Sequence, residues 1–133
     1  MIAEMVQPQQ VRTVWEYVKK GLAKVQSKSP EWWIPEDIYA DCVFQRSMLW
    51  LFKENDRALG FVVLQPKEDK TLHIWCAYAN EPNHMKQAFV EIQNIARQGN
   101  MEKITFDSWR KGWEKMAKEL GFKPRGYVME VSK

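Results

Sequence analysis

The chain has 133 residues, of which 45% are hydrophobic and 28% charged, and a formal charge of +3; that is enough for one core spanning 1–133 and too short for a second full domain. Its apolar runs, such as 48–52 and 61–64, fall far below bilayer-spanning length, and the opening MIAEMVQPQQ lacks the basic and apolar regions of a secretion signal. Only Cys42 and Cys76 are present, and His73 and His84 show no zinc-ligand spacing, so neither a disulfide scaffold nor a metal is expected and a cytoplasmic setting is.

Charge is uneven: residues 97–133 carry 9 basic and 5 acidic side chains, against 11 and 12 in 1–96. Glu102, Glu114 and Glu119 interrupt the basic surplus, which reads as a mixed solvated face rather than a nucleic-acid footprint.

Pro8 suits a first helical turn, and Val11, Val14, Trp15, Val18, Leu22 and Val25 follow at steps of three and four. The spacing predicts an amphipathic helix ending near Ser27. After a connector holding Trp32 and Trp33, Pro35 with Glu36 and Asp37 predicts a short second helix to about Val43, with Ile34, Ile38 and Cys42 on its buried side. One of the adjacent tryptophans is expected to pack and the other to stay exposed.

The period then changes. Runs 48–52 and 59–64, separated by Glu54-Asn55-Asp56-Arg57, predict a hairpin, and 66–70 a second polar turn. Residues 71–78 alternate Leu72, Ile74 and Cys76 against His73, Trp75 and Ala77, the pattern of a third strand. Ala88, Phe89, Ile92, Ile95 and Ala96 share a helical face with Gly99 as its C-terminal cap. Residues 103–106 are strand-like, and a last helix follows with Trp109, Trp113, Met116 and Leu120 on one stripe. Gly121 in a left-handed conformation ends it, turning Phe122 toward the core before a closing strand over 127–131. The strand-helix-strand unit from 71 to 106 requires a parallel pair in an otherwise antiparallel sheet, so the fold class is α+β: a mixed sheet of five or six strands, the sixth being 3–6, with helices on both faces.

This order resembles the acyl-CoA N-acetyltransferase superfamily, GNAT, over most of the chain, with local anchors in Pro35-Glu36-Asp37-Ile38, Leu59-Gly60-Phe61 and Leu120-Gly121-Phe122. Trp33-x-Pro35-Glu36-Asp37 combined with Trp109-Arg110-x-Gly112-Trp113 is also similar to short GNAT-like proteins of tailed phages. The GNAT resemblance implies that acetyl-CoA lies between the third and fourth core strands, with pantetheine along Ala77 and Tyr78 and pyrophosphate near Asn83, His84 and Lys86. The family's pyrophosphate loop, Q/R-x-x-G-x-G/A, is replaced by Ala79-Asn80-Glu81-Pro82-Asn83-His84-Met85-Lys86, without glycines. The places of the family's Tyr and Asn near the last helix hold Ala117 and Arg110, so its usual thiolate acid does not carry over. If active, the protein would be an acyl-CoA N-acyltransferase. The alternative is a non-catalytic scaffold, phage-encoded and bound to a phage or host protein in the host cytoplasm or the virion.

His73 is the one candidate general base, against the ordinary reading of a histidine on a strand face. His84 and Lys86 would replace the missing glycines as phosphate ligands, or simply decorate a helix start. Trp32, Trp33, Trp109, Arg110 and Trp113 are candidates for a substrate or partner surface, although Trp109 and Trp113, four apart, also fit a core stripe.

Overall fold

A computed structural model of the chain describes residues 1–28, 33–106, 118, 119, 121 and 128–131. Trp32, Trp109, Arg110, Trp113, Ala117 and Phe122, and most of the expected last helix, lie outside them. Strand β1 (Ile2–Val6) leads through a 3-10 turn at Pro8–Gln10 into α1 (Val11–Lys28), followed by α2 (Pro35–Val43), β2 (Met48–Glu54), β3 (Arg57–Lys67), β4 (Thr71–Ala79), α3 (Met85–Gln98), β5 (Lys103–Phe106) and β6 (Val128–Glu130). The six strands lie in sequence order, every pairing antiparallel except β4 with β5. That exception places α3 as a crossover covering one face.

Alternation divides the sheet into two layers. Leu49, Leu51, Phe61 and Val63 pack with Val11, Val18 and Leu22 of α1 and Ile38 and Cys42 of α2. Phe52, Val62, Leu64, Leu72 and Ile74 face Ala88, Phe89, Ile92, Ile95 and Ala96 of α3. Residues two apart on a strand share a face, so each buried set belongs to one layer.

The turns follow local chemistry. Asn55 (φ 52°) and Asp56 (φ 63°) both adopt the left-handed region that a two-residue hairpin requires. Strand β3 runs further than expected, since Pro66 and Lys67 pair with Leu72 and Thr71 rather than joining the turn. Ile34 is exposed rather than buried: it precedes α2 in extended conformation, and its N–H donates to Asp37 Oδ2 at 3.0 Å. Gly99 does cap α3, yet its φ is −89°; the left-handed residue is Asn100, φ 57°. Hydrogen bonds from Met101 N to Ala96 O and from Asn100 N to Arg97 O close a Schellman motif there. Gly121 adopts φ +88°, as expected, and donates its N–H to Lys118 O.

Candidate functional site

The strict alternation expected along β4 fails at one residue. Val63 pairs with Cys76 and Leu64 with Ile74, leaving Trp75 as an extra residue, a β-bulge. Leu72 and Ile74 therefore face α3, whereas Trp75 and Cys76 both pack in the α1–α2 layer, with Tyr78 on that side and Ala77 against the α3 layer.

Among the described residues, the parallel register between β4 and β5 covers Thr71↔Lys103, Leu72↔Ile104, His73↔Thr105 and Ile74↔Phe106. The register with β3 continues to Gly60↔Ala79. Past the bulge, β4 thus runs five residues, 75–79, beyond its last described register position with β5.

Against the opposite edge of this stretch the backbone is tight. Gly60 has no side chain because a Cβ there would collide with the Tyr78 carbonyl oxygen. Across the sheet face lies α1, whose Gly21 lets the helix approach: a Cβ would sit 2.5 Å from a Phe61 ring carbon and 2.9 Å from Tyr78. Tyr17, four residues earlier, donates its hydroxyl to Asn80 Oδ1 at 2.8 Å. Asn80 donates Nδ2 to Ala58 O and its backbone N–H to Leu59 O, which fixes the exit of β4. Burial, then the neighbouring Tyr78, pushes the Tyr17 phenol up to about 12, against the lowering effect of the Asn80 bond. Lys24 Nζ approaches Tyr78 Oη at 3.4 Å and lies 5.9 Å from its ring centroid.

The candidates of the sequence fall into three groups. Ala77 and Tyr78 lie near the end of β4, on opposite faces. Asn83 and His84 form the 3-10 turn that leads into α3, followed by Lys86 in the first helical turn. His84 Nε2 lies 3.9 Å from Glu81 Oε2, its Nδ1 is buried with no hydrogen-bond partner, and Lys86 Nζ lies 3.2 Å from Glu119 Oε2. His73 is apart from both groups: its Nδ1 is 2.8 Å from Thr105 Oγ1, in the stem where β4 and β5 still pair.

Trp33, expected on a substrate or partner surface, is 2% exposed. Its ring meets Trp75 edge-on at 6.4 Å and its carbonyl accepts from Gln26 Nε2, so the bulge and α1 together enclose it. Cys42 and Cys76 are buried, and burial followed by the Asp41 charge pushes the Cys42 thiol up to about 12. Burial does not suit either thiol to a nucleophilic role.

Sequence reasoning missed Tyr17, Lys24 and Asn80. A signal exists for the first two: Tyr17, Gly21 and Lys24 share one face of α1, and a glycine inside a helix marks a close approach. The pairing of Tyr17 with Asn80 has no local signal, since 63 positions separate them.

This mixed sheet, with β4 and β5 parallel and with two helices on one face and a crossover helix on the other, is the fold of the GNAT acetyltransferases. GCN5 of Tetrahymena superposes with a TM-score of 0.72 at 9% identity, covering 99% of this chain and 97% of that one. The PaiA N-acetyltransferase of Thermoplasma acidophilum, solved in complex with coenzyme A, gives 0.64 at 12% identity with full coverage of both chains. The IAA acetyltransferase of Bacillus cereus ATCC 14579 gives 0.64 at 16% identity, covering 92% of this chain and 76% of that one. No protein-family model matches the sequence. No curated protein matches it either.

Proposed function

We propose that the protein transfers an acyl group from a coenzyme A thioester to an amine. The observation that carries this reading is the parallel pairing of β4 with β5 across the α3 crossover, with the bulge at Trp75 directly after the last described register position, Ile74↔Phe106. An extended pantetheine arm would lie beside Ala77 and Tyr78, in the last part of β4. Asn83, His84 and Lys86 would hold the phosphates.

The bound group supplies an acyl thioester, at whose carbonyl carbon the amine forms a C–N bond as the C–S bond breaks. The chain's part is positioning. Gly60 lets β3 lie close against the Tyr78 carbonyl, the Tyr17–Asn80 bond fixes where β4 ends, and Trp33 packs edge-on against Trp75 at the bulge. Tyr17 stays protonated at neutral pH and so serves as a donor, not a base. His73, held by Thr105 where β4 pairs with β5, is too far down that stem to be the first choice as base; water or a carboxylate takes the proton released by the amine.

Calorimetry with coenzyme A and acetyl-CoA tests the reading, read together with amide-exchange protection of residues 75–79. Saturable heat with protection there is the expected result. No heat at millimolar ligand on folded protein would refute it. The scaffold alternative, with a phage or host protein docked on the tryptophans, loses Trp33 as a contact because that ring is interior.

A further inference from the structure

The start of α3 presents two groups that can carry positive charge, and each already faces a carboxylate. Lys86 Nζ is 3.2 Å from Glu119 Oε2, and His84 Nε2 is 3.9 Å from Glu81 Oε2. Beside these two pairs, Pro82 has no N–H, and the N–H groups of His84 and Met85 are spent on Glu81 O and Pro82 O within the 3-10 turn. Among the described residues, a coenzyme A diphosphate arriving here meets a Lys86 and a His84 that each already face a carboxylate, and a turn without glycines. It meets two carboxylates that must be displaced or tolerated.

Resting on the acyl-transfer reading, we propose that Glu81 and Glu119 select the acyl donor by charge. They weaken binding of the coenzyme A diphosphate and move the preference toward acyl-pantetheine thioesters bearing at most one phosphate. Both carboxylates are solvent-exposed, 61% and 44% by side chain, so they act through water-screened Coulomb repulsion and by holding Lys86 and His84, not through packing. Exposure also makes the proposal easy to test, because neutralising either group leaves the core intact.

The experiment is calorimetric titration of the full chain and of Glu81→Gln, Glu119→Gln and the double variant, with acetyl-CoA, acetyl-4′-phosphopantetheine and acetyl-pantetheine as probes. Glu68→Gln, in the distant β3–β4 turn, is the control. Each single substitution is expected to tighten acetyl-CoA binding about three- to tenfold at low salt, a range set by removing one unit charge several ångströms from a phosphate in a high-dielectric setting. The gain should shrink as salt is raised, with no change for acetyl-pantetheine and none in Glu68→Gln. Wild-type protein should bind acetyl-4′-phosphopantetheine at least as tightly as acetyl-CoA. Acetyl-CoA affinity that is unchanged in the double variant, or a gain shared equally by uncharged acetyl-pantetheine, overturns the charge-selection proposal while leaving acyl transfer standing. Failure of all three probes to bind any variant overturns both.

Discussion

The Tyr17 hydroxyl donates to Asn80 Oδ1 at 2.8 Å, joining the middle of α1 to the residue at which β4 leaves the sheet. Asn80 passes the constraint on through its own bonds to Ala58 and Leu59, so α1, the β2–β3 hairpin and the approach to α3 share one polar node. The node sits at the C-terminal end of β4.

Tyr17→Phe gives a pH test. An unfolded tyrosine titrates near 10 and Tyr17 in the folded protein at about 12. Because the folded-state value is raised, the folded protein keeps a proton that the unfolded chain loses. The contribution is complete below about pH 10 and lost as pH rises through about 12. Wild-type stability should fall over that window, and Tyr17→Phe should show a shallower fall in denaturant midpoints. At pH 7 the same variant should lose about 1 kcal/mol or less, the worth of one partly solvated hydrogen bond. Identical alkaline slopes would show that Tyr17 is not held protonated.

Gly21→Ala sets two effects against each other. Alanine gains about 1 kcal/mol over glycine inside a helix, whereas overpacking costs roughly 1–3 kcal/mol. With its Cβ 2.5 Å from the Phe61 ring and 2.9 Å from Tyr78, packing wins and a net loss of stability is expected. A stabilised Gly21→Ala in urea unfolding would mean that α1 does not approach the sheet this closely.

Gln45 and Gly121 make a matched pair. Gln45 holds φ 63° at the end of α2, where Gln45 N bonds Cys42 O and Arg46 N bonds Asp41 O. A non-glycine in this region costs about 1–2 kcal/mol, partly offset by the larger unfolded-state entropy of glycine. Gln45→Gly should therefore stabilise by about 0.5 kcal/mol, seen as a raised denaturant midpoint with unchanged slope. Gly121→Ala should destabilise by about 1 kcal/mol, and since a Cβ there meets nothing within 4 Å the loss comes from the backbone alone. Equal or higher stability of Gly121→Ala would remove the helix stop at that residue.

Trp33→Ala should cost about 3–5 kcal/mol, the range for truncating a large buried aromatic. In the same folded protein, neutral-pH alkylation should leave Cys42 and Cys76 unmodified until denaturant is added, because both are buried and the Cys42 thiol is held protonated. Near-wild-type stability of Trp33→Ala would return that ring to the surface.

The sequence by itself determined the order of elements from the first helix to β5, the hairpin turning within Glu54-Asn55-Asp56-Arg57 and the left-handed Gly121. Each rests on a local cause: apolar spacing of 3.6 or 2, or the φ that a turn demands. The need for a parallel pair was also legible, because a strand-helix-strand unit leaves little choice. Tertiary structure decided the rest. Leu72, Ile74 and Cys76 alternate in the sequence, yet the bulge at Trp75 sends Cys76 to the other layer, since the register to β3 is set by both strands together. Which residue at the end of α3 turns left-handed depended on where the Schellman bonds closed, and Asn100 took that place from Gly99. Trp33 became interior because Gln26 and Trp75, seven and 42 positions away, enclose it. The carboxylates facing His84 and Lys86 divide the same way: Glu81 is three residues from its partner and could be read from spacing, whereas Glu119 reaches Lys86 only because the chain returns to the start of α3.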